Sequence, residues 1–469
     1  MKEVIFREYD IRGIVGSELL LESVYPLGRA LAAYLLHKNP HVRTVAIGMD
    51  GRVHSSTIAQ SLIDALTDSG LDIYFVGICP SPVLYFALQT LTVQAGVMIT
   101  ASHNPAEYNG LKICLGTQAL TGVDIRALWQ WFCQGKCIES ANVGTVYYEP
   151  MVPLYISWLS HHFRDLHDLH MPIVIDAGNG AGAAVIPQLI DTFGWKGVAQ
   201  QCMTVDGTYP NHEADPVVEA NVLDIKMTMA SGSYVIGFGL DGDADRLGVV
   251  TPSGVLVPGD QLLAIFAHDI LQDNPHAAIA FDVKVSEGLI ELLNEWGAIA
   301  CMSACGHTLI KQVMRENNAM LGGELSCHFI FNDRYFGYDD GIYAMLRLLQ
   351  IMHKRQQSLE ELVSIFPVRC SSPEIRIVCS EEQKQPIITR LVNTFREQLD
   401  TMLITIDGVR VKKPYGWGLV RASNTQPMLS MRFESHDKQG LQQIKNDFYT
   451  ILKTELNEQQ LAHQLNLEG

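Results

Sequence analysis

Four short stretches of this chain carry residue types that could do chemistry. In the first, the apolar run Val97-Met98-Ile99 breaks into Thr100-Ala101-Ser102-His103-Asn104-Pro105. Ser102 offers a hydroxyl able to act as a nucleophile or a phosphate carrier, and His103, Asn104 and the nearby N–H groups could orient an anion. Read alone, the same residues also fit a tight turn closed by proline. In the second stretch, Asp241-Gly242-Asp243-Ala244-Asp245-Arg246 lies between the apolar runs Tyr234-Val235-Ile236 and Leu247-Gly248-Val249-Val250. Carboxylates spaced by two point the same way on an extended segment. Three of them together repel unless a hard cation is held, and oxygen-only ligands favour Mg²⁺. A calcium-binding EF-hand loop starts similarly but needs Gly at its sixth place and Glu at its twelfth. Arg246 and Pro252 stand there, which rules it out.

The third stretch is Gly322-Gly323-Glu324-Leu325-Ser326-Cys327-His328, with a carboxylate, a hydroxyl and an imidazole close together. Such a set could pair with vicinal sugar hydroxyls, or be a polar loop before a strand. The fourth is Gly418-Leu419-Val420-Arg421-Ala422-Ser423-Asn424-Thr425-Gln426-Pro427. A strand there runs into a donor-rich loop suited to cradling a phosphate.

The elements that must position these groups are legible in part. A buried strand, an Asp at its carboxyl end, a loop, an amphipathic helix and a Gly stop recur three times. Thr44–Asp50 leads to a helix through Ile58, Leu62, Ala65 and Leu66 that ends at Gly70. Ile173–Asp176 leads to one through Val185, Leu189 and Ile190, ending at Gly194, and Ala278–Asp282 to one through Leu289, Leu292 and Leu293, ending at Gly297. The intervals are domain-sized, so three related α/β domains are expected, with ligands at the carboxyl ends of the strands. Val4–Phe6 reads as a short strand before the charged turn Arg7–Gly13. Linkers are expected near Tyr148–Pro150, Thr251–Gly254 and Phe366–Val368. After about residue 369 the pattern changes to strands at Ile375–Val378 and Leu429–Phe433, a hairpin across Asp407-Gly408, and a helix through Leu441, Ile444, Phe448, Ile451 and Leu452. The tail after Glu455 is polar and expected to fray. The fold class is α/β: three similar mixed α/β domains plus a smaller sheet-and-helix (α+β) fourth, over residues 1–150, 151–252, 253–368 and 369–469.

The chain has 469 residues, 47% apolar and 18% charged, so it can bury large cores. Its formal charge of −17 argues against a nucleic-acid binder. Any anionic substrate must be drawn by a local basic cleft against that field. The ten cysteines show no disulfide-framework spacing and no paired half of a zinc site. They read as reduced core thiols of a cytoplasmic protein. No apolar run of about 18 residues and no signal segment appears, so no membrane contact is expected.

Together the four stretches, in this order, resemble the α-D-phosphohexomutase family, most closely its phosphomannomutase/phosphoglucomutase branch. The resemblance extends from Tyr9-Asp10-Ile11-Arg12-Gly13 to Arg421-Ala422-Ser423-Asn424-Thr425. It implies four domains around a central cleft and an isomerase that moves a phosphoryl group within a hexose phosphate. By resemblance, Ser102 is carried as phosphoserine and gives its phosphoryl group to a sugar monophosphate. A hexose 1,6-bisphosphate, intermediate and activator, turns over and returns the other phosphate.

The family match assigns Mg²⁺ to Asp241, Asp243 and Asp245, with an oxygen of Ser102 completing the coordination. It gives charge stabilisation to Arg12 and Arg246. The general base is Lys112, with His328 as second candidate; a lysine in that role needs a lowered pKa, which a dense cationic site could supply. Glu324 and Ser326 would read sugar hydroxyls, and Arg421, Ser423, Asn424 and Thr425 would hold the other phosphate. Tyr9, Lys284 and His307 would make further substrate contacts. Two departures stand out. Cys327 replaces the family's usual Gly, which requires strain if that position needs φ > 0. Val285-Ser286-Glu287 replaces the usual Cys-Ser/Thr-Arg. Alternatives are phosphoglucosamine mutase, disfavoured by Leu325 where Gln is usual, a hydrolase, and a non-catalytic phosphosugar-binding protein. A monomer is expected.

Overall fold

The structure is a computed structural model, and it describes residues 1–423 and 427–466. The chain forms two compact units, Met1–Gly259 with Ser326–Val363, and Asp260–Leu325 with Ser364–Gly469.

The first unit holds two sheets. In one, the strand order is Ile11–Ile14, Tyr108–Leu115, Ala95–Ile99, Thr44–Met49, Asp72–Ile78, Val146–Tyr148. Thr44–Met49 lies parallel to both of its neighbours, and Val45, Ile47, Ile73, Val97 and Ile99 are all completely buried. Burying one such side chain is worth about 1.5–3 kcal/mol, so the apolar runs fix which faces are covered. The strand Ala95–Ile99 pairs antiparallel with Tyr108–Leu115, in a register that sets Met98 opposite Lys112. Arg12 in turn lies opposite Gly110. A Cβ at Gly110 would come within 2.1 Å of the Ile11 carbonyl oxygen, so only glycine lets these strands close up. Arg12, Lys112 and the end of Ala95–Ile99 are therefore fixed by strand register.

The second sheet has the order Leu247–Val250, Ile236–Leu240, Ile173–Asp176, Val198–Gln201. Leu240 pairs antiparallel with Leu247, so Asp241–Arg246 is the hairpin connection between two buried strands.

In the second unit, Ala278–Asp282 runs parallel to Ile299–Ser303 and to Leu321–Gly323. A separate antiparallel sheet runs Cys370–Ser371, Met428–Ser435, Gly416–Ala422, Val409–Lys413, Met402–Ile404, with Ile375–Val378 also paired to Met428–Ser435. Helices Glu381–Arg396 and Lys438–Leu452 cover it through Ile387, Leu391, Phe395, Ile444 and Phe448.

The three repeated strands and their helices are present, and the Gly stops at 70, 194 and 297 all have positive φ. Elsewhere the chain departs from the sequence reading. Glu3–Ile5 is a 3-10 turn rather than a strand, and Tyr148 ends an edge strand rather than lying in a linker. The tail does not fray through the described residues: Glu458–Gln464 is helical, capped by Asn457 and anchored by buried Leu461 and Leu465. Cys133 and Cys137 are exposed, not core thiols, while Cys301 and Cys305 are buried; none of the ten cysteines is in a disulfide.

One buried network gives a pH prediction. Asp340 caps helix Gly341–Arg355 and accepts hydrogen bonds from Tyr155 Oη (2.8 Å), Tyr335 Oη (2.7 Å) and Tyr343 N (2.8 Å). Burial outweighs these bonds and pushes its carboxyl up to about 6. The unfolded carboxyl ionises near 4, so the folded chain binds the extra proton in between, and stability falls as pH rises from about 4 to about 6. The loss totals about 3 kcal/mol and levels off above pH 6. Asp340→Asn should flatten that part of the profile, measured as urea midpoints of both proteins at the two ends of the window.

Candidate active site

At the end of Ala95–Ile99 the chain turns sharply. Thr100 Oγ1 accepts from Ser102 N at 2.9 Å, and Ser102 sits in the left-handed region at φ +51°. A non-glycine residue there costs on the order of 1–3 kcal/mol, and it persists only where its surroundings hold it. The holder is Arg52. Its NH2 group donates to the carbonyl oxygens of Ser102 (2.7 Å) and Asn104 (2.6 Å), and its NH1 group to those of Pro105 (2.7 Å) and Tyr108 (3.0 Å). Arg52 Nε donates to Asp50 Oδ2 at 3.1 Å, and both side chains are completely buried. Asp50 also accepts from Ser55 Oγ at 2.6 Å. One guanidinium thus ties four backbone carbonyls of the loop to the first repeat.

Facing this loop is the hairpin connection Asp241–Arg246. Asp241, Asp243 and Asp245 are completely buried, and one carboxylate oxygen from each lies within 4.8 Å of the others. The segment is a turn with Ala244 at φ +55°, not the extended strand the spacing suggested, yet the three carboxylates converge. A Cβ at Gly242 would fall 2.3 Å from the Ser102 carbonyl oxygen, so the glycine between the acids permits this approach. Ser102 Oγ donates to Asp241 Oδ2 at 2.8 Å and lies 3.2 Å from His103 Nδ1.

Burial, then the charges of Asp245 and Asp243, raise the Asp241 carboxyl well above its ordinary range. Asp243 Oδ1 is buried without a hydrogen-bond partner among the described residues. Lys112 Nζ donates to Asp243 Oδ2 (2.7 Å) and Asp245 Oδ2 (2.6 Å), and Ser81 Oγ donates to Asp243 Oδ2 (2.5 Å). An orphaned carboxylate oxygen among three buried acids fits a hard divalent cation, whose ligands are oxygens.

Lys112 is buried on strand Tyr108–Leu115. Burial works against its charge, but Asp243 and Asp245 outweigh it and hold the ammonium well above its ordinary pKa. Without a cation on those carboxylates, the amine faces negative groups and its pKa moves up; a cation held there would remove that effect. His103 moves the other way: burial, then Arg246 and Arg12, keep its imidazole neutral.

Arg12 Nε donates to Asp10 Oδ2 at 3.0 Å, and its NH1 group to Asn104 Oδ1 at 2.7 Å. Tyr9 is half-buried in the adjoining turn. Arg246 N donates to Asp241 Oδ1 at 3.1 Å, and Arg246 Nε to His328 Nε2 at 3.2 Å. His328 Nε2 also lies 3.2 Å from Asp245 Oδ1, and its Nδ1 lies 3.2 Å from Ser326 Oγ. Residues 326–328 reach the acidic loop through a backbone bridge between Arg246 and His328 and the bond from Leu247 N to the Cys327 carbonyl at 3.2 Å. Cys327 has φ +65° and is buried, so the position does require the left-handed conformation that glycine adopts freely.

In the second unit, Glu324 Oε1 accepts from Gly306 N at 2.7 Å, beside His307 at the start of helix His307–Asn317. Lys284 N donates to Asp282 Oδ1 at 2.9 Å; burial, partly offset by Lys284, pushes Asp282 up to about 6. Arg421 Nε donates to Asp407 Oδ2 at 2.8 Å, which also accepts from Cys305 N at 3.0 Å. Lys384 Nζ donates to the Ser423 carbonyl at 2.8 Å. Asn424 and Thr425 lie outside the described residues.

The first unit thus brings Ser102, the three aspartates, Lys112, Arg12, Arg246, Ser326 and His328 around one point. Sequence reasoning missed Arg52, Ser81, Asp407 and Lys384. Arg52 follows the Asp that marks the end of the first repeated strand, and Ser81 precedes the Pro that opens helix Ser81–Thr90.

Four family models match in chain order. They are phosphoglucomutase/phosphomannomutase alpha/beta/alpha domain I over residues 3–126, domain II over 153–254, domain III over 258–368, and the C-terminal domain over 374–451. A phosphomannomutase/phosphoglucomutase of Pseudomonas aeruginosa is 40% identical over 454 residues, 96% of this chain and 95% of that protein. A phosphoglucomutase of Neisseria meningitidis is 38% identical, with 97% of each covered. The crystal structure of a phosphoglucomutase/phosphomannomutase family protein from Burkholderia thailandensis superposes with a TM-score of 0.90 at 32% identity, over 97% of this chain and 98% of that one. By its four matched domains and its near-full-length relatives, the chain belongs to the phosphoglucomutase/phosphomannomutase family.

Proposed function

We propose that this protein interconverts hexose 1-phosphates and hexose 6-phosphates, of mannose, glucose or both, through a phosphorylated Ser102. The carrying observation is the Ser102 hydroxyl 2.8 Å from a carboxylate of the buried Asp241/Asp243/Asp245 cluster. In the forward step the bond between phosphorus and Ser102 Oγ breaks, a bond from phosphorus to the sugar hydroxyl forms, and the hydroxyl proton passes to a base. The hexose 1,6-bisphosphate then turns and returns its other phosphate to Ser102. Phosphoryl transfer needs mostly positioning and charge stabilisation, and Arg12 and Arg246 supply fixed positive charge. Asp241, Asp243 and Asp245 would hold Mg²⁺, which when bound neutralises charge developing on the phosphoryl oxygens.

The base is Lys112, with His328 as second candidate; Lys112 can give up its ammonium proton when Asp243 and Asp245 are neutralised, as a cation held by them would do. Glu324 and Ser326 read the sugar hydroxyls; Arg421, Ser423, Asn424 and Thr425 hold the phosphate that stays, with Tyr9, Lys284 and His307 as further contacts. We read the protein as a cytoplasmic monomer. Among the described residues no helix is long and apolar enough to cross a membrane.

The test is a coupled assay with mannose 1-phosphate and glucose 1-phosphate, with Mg²⁺ and catalytic glucose 1,6-bisphosphate. Metal-dependent formation of a 6-phosphate from either sugar is expected. Release of inorganic phosphate alone, or no turnover of either, would sink the reading. Ser81→Ala removes a hydrogen bond from Asp243 without touching substrate. It should raise the Mg²⁺ concentration for half-maximal rate by about 10-fold or more, as loss of a partner behind a metal ligand does. A change in rate at saturating Mg²⁺ alone would contradict that role.

A further inference from the structure

The second repeated strand ends in Asp176, and the loops after it gather a donor set that the proposed mutase reaction does not use. Strand Ile173–Asp176 pairs in parallel with Val198–Gln201, Asp176 opposite Gln201, so Cys202 follows directly beside it. Asp176, Cys202 and His212 each offer one ligand atom, and these lie within 4.8 Å of one another. His212 Nε2 is 3.1 Å from Asp176 Oδ2 and 3.8 Å from Cys202 Sγ. The corresponding edges of a tetrahedral zinc site are roughly 3.3 Å for nitrogen to oxygen and roughly 3.5 Å for nitrogen to sulfur.

Each donor is also held from behind. His212 Nδ1 lies 2.9 Å from the Glu213 carbonyl. A carbonyl only accepts, so the proton is on Nδ1 and Nε2 faces the other two groups, the tautomer that a carbonyl behind a metal ligand selects. Asp176 Oδ1 is taken by Gly178 N at 2.7 Å, which leaves Oδ2 to face the cluster. Asn211 Nδ2 donates to Cys202 Sγ at 3.4 Å and to Asn179 Oδ1 at 2.8 Å. Cys202 and Asn179 both have positive φ, +52° and +54°, and Asn179 N bonds the Cys202 carbonyl at 3.1 Å. Two non-glycine residues in the left-handed region within one hydrogen-bonded pair mark a turn held in place by its surroundings.

We propose that Asp176, Cys202 and His212 bind a thiophilic divalent cation of the zinc class, with solvent in the fourth position. Carboxylate, imidazole and thiolate together suit Zn²⁺ and not Mg²⁺. On binding, the Cys202 thiol and Nε2 of the His212 imidazolium each lose a proton to solvent, and the thiolate sulfur and the freed Nε2 coordinate. The cation is structural. The loop after Asp176 supports the acidic hairpin, with Ala181 N donating to the Gly242 carbonyl at 2.9 Å, so the cation stiffens the base of Asp241–Asp245. The competing state is metal-free: Asp176, then Cys202, raise the imidazole to about 11, leaving His212 as a protonated partner of Asp176.

The full-length protein, stripped of metal and returned to excess Mg²⁺ to fill the acidic hairpin, is titrated with Co²⁺. A near-ultraviolet thiolate-to-cobalt band saturating at one ion per chain is expected. It should vanish in Cys202→Ser and weaken at least 10-fold in affinity in His212→Gln. In the unmutated protein Zn²⁺ should slow alkylation of the half-buried Cys202 at least 10-fold, read by peptide mass. Absence of the band, its persistence in Cys202→Ser, or alkylation of Cys202 at the same rate with and without Zn²⁺ would overturn the proposal. None of these readouts depends on mutase activity.

Discussion

Ser102→Ala should lower hexose phosphate interconversion by about 10³-fold or more, the scale of loss when a covalent nucleophile is removed. The substitution deletes the hydroxyl that bonds Asp241 Oδ2 at 2.8 Å, so a buried carboxylate loses a donor. That costs roughly 1–3 kcal/mol of stability. Alanine meets the same φ of +51°, and Arg52 still binds the loop through backbone carbonyls, which the substitution leaves in place. The protein should therefore fold, with a modestly lowered urea midpoint, and still saturate with Mg²⁺. A variant that folds and keeps more than about a tenth of the rate would remove Ser102 from the chemistry.

Arg52→Ala should be the most destabilising single change near the site. Removing one partner of a buried ion pair costs about 3–5 kcal/mol, because the other charge is left without compensation. Here Asp50 stays buried, and the carbonyls of Ser102, Asn104, Pro105 and Tyr108 lose their donor together. Arg52→Lys keeps the charge, but three N–H groups on a flexible stem cannot reproduce the planar fork, so activity should fall even where stability is partly kept. The double variant Arg52→Ala with Asp50→Asn separates the two effects. Neutralising Asp50 should recover part of the stability and none of the activity. Recovery of both would mean that Arg52 serves the fold and not the geometry of the Ser102 loop.

Much of the architecture was legible because three domains repeat one pattern, in which full burial of a strand forces an apolar run and the helix after it ends on a glycine of positive φ. Helix Glu381–Arg396 was not foreseen, although Ser380 and Gln383 form a capping box; Pro386 inside the helix masks the periodicity. The three aspartates were legible as a cation site, but the reason offered was incomplete. Their convergence comes from a hairpin turn with Ala244 in the left-handed region, not from alternation along a strand.

Lys112 shows the limit more sharply. The family resemblance names it, but only the fold brings Asp243 and Asp245 to its amine, where without a cation they hold its charge. Arg52 was illegible for a related reason. Its partners are backbone carbonyls about fifty residues away in sequence, and a carbonyl leaves no trace in residue type. Cys327 was anticipated as a point of strain, and its φ of +65° bears that out.

The central claim is that Ser102 carries the phosphoryl group. The most direct measurement is the peptide-resolved mass of the purified protein before and after incubation with glucose 1,6-bisphosphate and Mg²⁺. A gain of one phosphate on the peptide containing Ser102, removed on incubation with a hexose monophosphate, is the expected result. A phosphate on any other residue, or none during active turnover, would contradict the account.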